Sequence, residues 1–331
     1  MKHLTEPFYR LAVIGAGQLG SRHLQGLARL ALPCEIEVVD PSLVSLDLAR
    51  QRFAEMPPNA AIRAVRYNTS VKALSRSLDY VVIATAADVR LEVLQSLLAD
   101  RKVRFVLFEK VLFQRLNDYE KARSLLHSGN VQAWVNCTRR LFPIYEIVRS
   151  FFNGETLKYF QVMGGGWGLG CNSVHFIDLL GLLTGQLPTN ISTAGLDSAL
   201  IPSKRKNFMD FTGALRGTMG DAQFELASLA GSSARMLLTL RSESCTCVVD
   251  ETGGRALFLD SCRQGQWESQ DFEIPFLSQL STSIATRILT EGVSDLATFD
   301  LSKAYHLPLL DALGAHASLT LGTPVGFCPV T

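Results

Sequence analysis

The chain has 331 residues, of which 47% are hydrophobic and 19% are charged, and its formal net charge is +1. This length allows about two domains of roughly 150 residues each, and the composition is that of an ordinary globular protein. A nearly neutral chain gives no electrostatic reason to expect nucleic acid or an anionic membrane as a partner, and no apolar run approaches the roughly 20 residues of a membrane span.

Seven cysteines are scattered through the sequence without a CxxC pair. An odd, dispersed set favours free thiols in a reducing compartment over a disulfide framework or a zinc site. The opening residues, MKHLTEPFYR, lack the apolar segment of a signal peptide. We therefore expect a cytoplasmic protein without a metal centre.

The first third of the chain alternates predicted strands and helices. RLAVIGAGQLG is a short apolar strand that runs into a glycine-rich turn, and an amphipathic helix follows it. Further strands are predicted in EIEVVD, IRAVRY, DYVVIATA and RFVLFEK, and helices over residues 42–55, 89–100 and 117–128. Asn117 and Glu120 open the last helix with the spacing of a capping box. The alternation predicts a doubly wound parallel sheet of the Rossmann type over residues 1–130.

The glycines at the end of the first strand predict a dinucleotide site. A GxGxxG alone is weak evidence, but this one lies between a strand and a helix, and Asp40 ends the next strand. Gly15 permits the tight turn, Gly17 lets the backbone approach a pyrophosphate, and Gly20 allows close packing of helix on strand. Asp40 suits ribose hydroxyls and repels a 2′-phosphate, so NAD is favoured over NADP. The alternative is a turn with a capping aspartate.

The segment RFVLFEKVLF places two charges, Glu109 and Lys110, inside an apolar run. Charges in such a position are costly to bury unless they are paired or take part in function. Glu109 lies at the carboxyl end of this predicted parallel strand, at the edge where sheets of this type bind ligands. The alternative is a solvated ion pair at the end of the strand.

Residues 131–331 differ in character from the first third. Strands are predicted in LKYFQVMGGG, ISTAGL, DAQFELASL, ARMLLTLRS, CTCVVDE and RALFLD. One helix, NSVHFIDLLGLLTG, interrupts them and ends at Gly185, and a helical tail begins at about Ser302. This part is therefore predicted to be an α+β domain with a largely antiparallel sheet.

The predicted helix in this half carries a second group of candidates. Asn172 or Ser173 is expected to cap the helix, which places His175 in its first turn. Asp178 follows three residues later on the same face. The alternative is that His175 only caps its helix while its apolar neighbours pack into the core.

The sequence resembles the glucose–fructose oxidoreductase/inositol dehydrogenase (Gfo/Idh/MocA) family. The resemblance covers most of the chain and rests, in order, on GAGQLGSRHL, Asp40, VVIATA, FEKV, NCTRRLFP and HFIDLL. Its most specific part is the Glu–Lys pair that ends the fifth strand, with His-x-x-Asp some sixty residues later. Members of this family use NAD(P) to oxidise or reduce a carbinol carbon of sugars, inositols and nucleotide sugars. A minority hydrolyse glycosides through transient oxidation, and a few are non-catalytic regulators.

The resemblance implies roles for particular residues. Lys110 and His175 are expected to exchange a proton with the substrate hydroxyl. The expected substrate contacts are Arg140, Trp167, Asn172 and Asp178, the last as an orienting group. The expected cofactor contacts are Gly15, Gly17, Gln18, Leu19, Gly20, Asp40, Ala84, Thr85, Glu109 and Asn136.

Several of these assignments have open alternatives. Either Arg139 or Arg140 can bind a substrate carboxylate or phosphate, or form a surface salt bridge instead. Trp167 can stack on a sugar or belong to the core. Where the family usually has proline and aspartate, this sequence has Val111 and Cys171.

Three functions from different classes follow from the sequence. The favoured one is an NAD-dependent oxidoreductase acting on a sugar, cyclitol or nucleotide sugar. The alternatives are an NAD-assisted glycosidase and a non-catalytic protein that senses NAD or sugar.

Family members form dimers or tetramers through an open sheet face, so a homodimer or homotetramer is expected, with strands around Met236–Leu240 and Cys245–Val249 in that face. His23 is expected to pack within its helix near the cofactor.

Overall fold

The computed structural model describes residues 8–262 and 265–331, which form two compact units. Unit 1 consists of the described residues of Met1–Phe113, with Asn117–Asn136 and Pro275–Asp300. Unit 2 consists of Gln114–Leu116, the described residues of Cys137–Ile274, and Leu301–Thr331. The chain therefore returns to unit 1 after most of unit 2, a return that the sequence analysis did not include.

The regular elements are numbered in chain order. The strands are β1 (Tyr9–Ile14), β2 (Cys34–Val39), β3 (Ile62–Asn68), β4 (Ser77–Ile83), β5 (Lys102–Phe108), β6 (Gln132–Val135), β7 (Tyr159–Gly165), β8 (Pro188–Leu196), β9 (Ile201–Pro202), β10 (Met209–Asp210), β11 (Gly213–Met219), β12 (Ala222–Leu229), β13 (Leu237–Arg241), β14 (Cys245–Asp250), β15 (Arg255–Asp260) and β16 (Trp267–Asp271). The α-helices are α1 (Gln18–Leu27), α2 (Leu43–Ala54), α3 (Arg90–Leu98), α4 (Leu116–Ser128), α5 (Pro143–Phe151), α6 (Leu169–Thr184), α7 (Leu277–Glu291) and α8 (Phe299–Leu321).

Unit 1 is built on a six-stranded parallel sheet with the order β3-β2-β1-β4-β5-β6. The predicted Rossmann-type fold is confirmed. The central strands β1, β4 and β5 each end in four buried residues. Continuous apolar runs of this kind are typical of parallel strands that are covered on both faces.

Helix α4 begins one residue before the predicted start. Leu116 is its first residue, so Asn117 lies inside the helix. The predicted capping role of Asn117 is therefore wrong, because a cap is the residue that precedes the first turn. Helix α7 was not predicted at all, although it belongs to unit 1.

Unit 2 contains an eight-stranded sheet with the order β16-β15-β14-β13-β7-β12-β11-β8. All neighbouring pairs are antiparallel except β12 and β7. The six strands predicted in this half are present as β7, β8 and β12 to β15, whereas β11 and β16 were not predicted. The predicted α+β fold with a largely antiparallel sheet is confirmed.

One face of this sheet carries apolar side chains that are exposed or half-buried in the single chain. Met163 pairs with Leu237 across β7 and β13, and Val248 pairs with Leu257 across β14 and β15. Trp267 on the edge strand β16 is also exposed. Neighbouring apolar residues of this kind are typical of an interaction face.

We predict that this face joins copies of the chain. Wild-type protein should show a light-scattering mass of at least two chains, and Leu237→Glu should reduce it by placing a charge in the contact. The control is Leu319→Glu, because Leu319 is an exposed leucine on helix α8. A mass of one chain for wild type across micromolar concentrations would refute the prediction.

Among the described residues, no helix combines the length and the apolar character that crossing a membrane requires. Residues 1–7, which belong to the segment analysed for a signal peptide, lie outside the described part of the chain.

Candidate functional site

The predicted cofactor residues of unit 1 meet at one edge of its sheet. Ile14 pairs with Val39 and with Ile83, and the pairing continues through Phe108 to Val135. The residue that follows each of these strand ends belongs to what we term the carboxyl-end row: Gly15, Asp40, Ala84, Glu109 and Asn136. Parallel sheets bind ligands at this edge.

The three glycines of the turn differ in what surrounds them. Gly15 has a φ of +93°, and an added Cβ would lie 2.8 Å from the backbone of Ala84 and Thr85. A Cβ at Gly20 would lie 1.6 Å from the carbonyl oxygen of Gly15. At Gly17 a Cβ would meet no atom within 4 Å, so the packing of this chain does not require glycine there. The open space beside Gly17 fits the predicted approach of a pyrophosphate.

The N-terminus of helix α1 is suited to an anion. Gly17 is its N-cap, no side chain caps the helix there, and the first turn contains no acidic residue. The orphan N–H groups and the helix dipole at such a terminus attract phosphate. Gln18 is exposed and bonds Arg52 through its Oε1 atom at 2.6 Å, and Leu19 is half-buried.

Asp40 holds the loops at the end of β2. Its Oδ2 atom accepts a hydrogen bond from the Ala16 amide at 2.8 Å, and its Oδ1 atom accepts one from the Ser42 amide at 2.8 Å. A carboxylate offers about four lone-pair sites, so these two bonds leave capacity for ribose hydroxyls.

Two polar atoms near this row are buried without a hydrogen-bond partner among the described residues. They are the Oγ1 atom of Thr85, which follows β4, and the Oδ1 atom of Asn136, which follows β6. Buried polar atoms are nearly always satisfied in native proteins, so such exceptions indicate a ligand or ordered water. They fit the hydroxyl and amide groups of a nicotinamide nucleotide.

Glu109 is the centre of a buried hydrogen-bond network. Its Oε1 atom lies 2.8 Å from His23 Nε2 and 2.7 Å from Asn136 Nδ2. Burial by itself raises the pKa of the Glu109 carboxyl, but the bonds from His23 and Asn136 and the charge of Lys110 hold that pKa below its usual value. Because an ionised carboxylate only accepts, His23 Nε2 carries the proton that it donates. The network continues to Ser281 Oγ, 2.8 Å from His23 Nδ1.

His23 therefore does more than the predicted packing within its helix. It is fully buried and links three elements, α1, the end of β5 and α7. One local signal for this role is present in the sequence, a histidine three residues after Gly20 in a helix that packs on the sheet. Its partner Ser281 is 258 residues away, and no local pattern indicates that contact.

Lys110 follows Glu109 directly and is half-buried. The Lys110–Val111 peptide bond is cis, although valine stands where the family usually has proline. Lys110 belongs to unit 1 and His175 to unit 2, so their predicted meeting at one substrate stays a prediction.

In unit 2, helix α6 begins earlier than predicted. Its N-cap is Gly168, with a φ of +80°, and its first residue is Leu169. The predicted cap at Asn172 or Ser173 is therefore wrong, and His175 lies in the second turn. The reason is a tertiary contact: the Oδ1 atom of Asp210 accepts a hydrogen bond from the Gly170 amide at 2.6 Å.

Arg140 and Asp178 form a buried ion pair. The Nε atom of Arg140 donates to Asp178 Oδ2 at 2.6 Å, and Asp178 has no exposed surface. Burial raises the pKa of Asp178 to about 6, although the Arg140 guanidinium acts in the opposite direction. Asp178 lies one turn after His175 on α6, and it orients Arg140.

Arg139 is committed to a different contact. Its guanidinium binds the Glu251 carboxylate through two bonds of 2.8 Å each, and it lies over the ring of Phe176. A two-pronged, part-buried pair of this kind leaves little capacity for a ligand. Of the two arginines considered, Arg140 is therefore the better candidate for a substrate contact.

Trp167 and Asn172 are tied to the chain near the start of α6. The indole N–H of Trp167 donates to the Ala227 carbonyl at 2.7 Å, and the ring packs edge-on against Phe176. Asn172 Nδ2 donates to the Trp167 carbonyl at 2.7 Å. Both residues are half-buried, as is Cys171. Asn172 therefore fixes the loop that carries Trp167, and its predicted substrate contact stays a prediction.

The raised pKa of Asp178 predicts a pH dependence of stability. Between about pH 4 and pH 6 its carboxyl holds a proton in the folded chain that the unfolded chain has released. The stabilisation of the folded chain by this bound proton is present at low pH and is lost as the pH rises through about 6. Between about pH 4 and pH 7, wild type should lose roughly 2 kcal/mol of unfolding free energy relative to Asp178→Asn.

Urea unfolding at a series of pH values measures this difference. Asp47→Asn is the control, because Asp47 is an exposed ion-pair residue that should leave the wild-type profile unchanged. Parallel profiles for wild type and Asp178→Asn would contradict the prediction.

Within the described part of the chain, no group of three or more histidine, cysteine or acidic side chains is arranged to hold a metal ion. The seven cysteines are free thiols.

Comparison of the sequence with protein-family models and with curated proteins finds no match. Solved structures do match across nearly the whole chain. UDP-N-acetylglucosamine 3-dehydrogenase GnnA from Acidithiobacillus ferrooxidans aligns with a TM-score of 0.72 at 16% identity, covering 95% of this chain and 99% of that one. A Gfo/Idh/MocA family oxidoreductase from Vibrio cholerae aligns with a TM-score of 0.69 at 15% identity, covering 95% and 100%.

A protein described as a regulator shares the same fold. The transcriptional regulator Gal80p from Kluyveromyces lactis aligns with a TM-score of 0.69 at 15% identity, covering 96% of this chain and 94% of that one. At these identities the likeness concerns the fold. The chain therefore has the fold of the Gfo/Idh/MocA family oxidoreductases, as the sequence resemblance predicted.

Proposed function

We propose that this chain is an NAD-dependent oxidoreductase that moves a hydride between nicotinamide and a carbinol or carbonyl carbon of a sugar, cyclitol or nucleotide sugar. The observation that carries the proposal is the carboxyl-end row, with the uncapped N-terminus of α1 and the open space beside Gly17. One edge of the sheet in unit 1 carries the glycine turn, Asp40 and the Glu109–Lys110 pair. Parallel sheets bind dinucleotides at this edge.

Particular residues of unit 1 would hold the cofactor. The amides at the start of α1 suit the pyrophosphate, Asp40 suits the adenosine ribose, and the buried atoms of Thr85 and Asn136 suit the nicotinamide half. When bound, NAD supplies the hydride acceptor or donor, and the protein supplies orientation and electrostatics. Glu109, ionised and anchored, places a negative charge at this edge of the sheet.

Lys110 and His175 are proposed to exchange a proton with the substrate hydroxyl. Oxidation of a carbinol releases a proton from its hydroxyl, and reduction of a carbonyl takes one up. Lys110 directly follows the carboxyl-end row, and His175 lies on α6 one turn before Asp178. Arg140, Trp167 and Asn172 are proposed to contact the substrate. We also propose that the protein is a cytoplasmic homo-oligomer that has neither nucleic acid nor membrane as a partner.

The cofactor assignment predicts a preference for NAD over NADP. Calorimetric titration should give tighter binding for NAD(H), because the Asp40 carboxylate would repel the 2′-phosphate of NADP(H). Asp40→Asn keeps the size and one acceptor but removes the charge, so it should narrow the difference. The control is Asp79→Asn, which lies nearer the other end of strand β4. Equal affinities of wild type for the two nucleotides would overturn the assignment.

The likeness to Gal80p favours one second candidate, a regulator that binds NAD or a sugar without turning it over. Val111 and Cys171, which depart from the family pattern, favour the same candidate. A screen of sugars, cyclitols and nucleotide sugars for NADH absorbance separates the two. Net formation of NADH with one of these compounds supports the oxidoreductase. Binding of a compound without formation of NADH supports the regulator. Release of a sugar without net NADH would instead indicate a glycosidase.

A further inference from the structure

Arg90 is a fully buried arginine at the first position of helix α3. Its Nη1 atom donates to the backbone carbonyl oxygens of Val111 and of Leu112, the latter at 2.8 Å. Its Nη2 atom donates to the carbonyl oxygen of Thr85. All of these residues belong to unit 1. One guanidinium therefore joins the segment after β4 to the segment after β5.

A buried guanidinium is costly unless its donors are satisfied, with an effective penalty of several kcal/mol for an ion taken out of water. Arg90 meets this cost with backbone carbonyls rather than with surface water. The guanidinium fork is planar and rigid, so its acceptors are fixed relative to one another. Val111 and Leu112 are themselves fully buried. One side chain therefore anchors the backbone that follows Lys110.

The residue that precedes Lys110 is anchored by a separate set of hydrogen bonds. Glu109 accepts hydrogen bonds from His23 and Asn136, and His23 is fixed in turn by Ser281. Lys110 therefore lies between two anchored residues, and it is the half-buried member of this run.

We propose that Arg90 and His23 are positioning residues that set where the Lys110 amine lies, Arg90 through the backbone of Val111 and Leu112 and His23 through the side chain of Glu109. The catalytic meaning of this placement rests on the proposed function. The placement itself concerns only this chain and can be tested without a substrate.

Unit 1 contains a matched control for Arg90. Arg101 is also buried, and its Nε and Nη2 atoms donate to the carbonyl oxygens of Leu74 and Lys72 at 3.2 and 2.6 Å. It precedes β5, whereas Glu109 and Lys110 follow β5. A substitution at Arg101 should therefore disturb a similar set of bonds without reaching Lys110.

The experiment measures the labelling rate of each lysine with acetic anhydride, read by mass spectrometry, in wild type, Arg90→Lys and Arg101→Lys. Amine reactivity follows the fraction of neutral amine and its environment, so a displaced Lys110 should change its rate by about threefold or more in Arg90→Lys. Lys121 and Lys158, both exposed, serve as internal references. Arg101→Lys should leave the Lys110 rate unchanged even where it lowers the melting temperature. An unchanged Lys110 rate in folded Arg90→Lys would overturn the proposal.

If Arg90→Lys does not fold, as judged by circular dichroism, His23→Gln tests the other anchor with the same measurement. An unchanged Lys110 rate in that variant would likewise overturn the proposal. With a substrate, Arg90→Lys should lower kcat by about tenfold or more. A changed labelling rate without any turnover in wild type would support the placement and count against the proposed function.

Discussion

Replacing Lys110 by methionine should lower turnover by about 100- to 10,000-fold, the usual contribution of a positioned proton-transfer group. Methionine keeps much of the side-chain length and removes the ammonium. NAD(H) affinity should remain near the wild-type value, because the turn, Asp40 and the start of α1 are untouched. Steady-state kinetics on a substrate from the NADH screen and fluorescence titration with NADH measure the two effects separately.

The same substrate tests whether Lys110 and His175 act together. His175→Ala should also lower turnover, and the double variant should lose less than the product of the two single losses, since groups that act as a unit are non-additive. Lys102→Met is the control, because Lys102 is an exposed residue at the start of β5. Near wild-type turnover in Lys110→Met would make Glu109–Lys110 a structural pair and this mechanism wrong.

Gly17→Val and Gly20→Ala should both abolish tight NAD(H) binding, but for different reasons. At Gly17 the φ is −65° and a Cβ meets nothing within 4 Å, so the fold should tolerate a side chain there. That side chain would occupy the space proposed for the pyrophosphate, and affinity should fall by about 100-fold, or roughly 2.7 kcal/mol. At Gly20 a Cβ lies 1.6 Å from a backbone oxygen, so the turn itself must move.

Thermal unfolding separates these two effects. Gly17→Val should keep a melting temperature close to that of wild type, whereas Gly20→Ala should lower it, as an overpacked core does. Gly314→Ala is the control for Gly17, because a Cβ there also meets nothing within 4 Å and Gly314 lies in unit 2. Wild-type affinity in folded Gly17→Val would remove the pyrophosphate from this position.

Local patterns predicted the Rossmann-type unit well because its signals are short in sequence. Apolar runs with the period of parallel strands, the glycine turn and an acidic residue at the next strand end all lie within about 40 residues. The edge residues Gly15, Asp40, Ala84 and Glu109 could be named in advance for the same reason, since each lies at or near the carboxyl end of a predicted strand. Asn136 was named from the family resemblance. The pairing that aligns these residues at one edge of the sheet could not be predicted from the sequence.

The sequence by itself thus determined where the strands of unit 1 lie and which glycines form the turn after the first of them. Both depend on φ preferences and on a hydrophobic period that act over a few residues. Tertiary structure decided which partners those residues have. Asp210 caps α6 across 40 positions, and Ser281 reaches His23 across 258. A hydrogen bond needs its two atoms within about 3 Å, and which distant residues meet at that range is settled only when the elements pack. The cap predicted at Asn172 or Ser173 is wrong for this reason, because the contact with Asp210 lies at the earlier helix start. The cap predicted at Asn117 is wrong because α4 begins one residue earlier, at Leu116. The glycine turn was predicted correctly, because the positive φ of Gly15 is a preference of its own backbone.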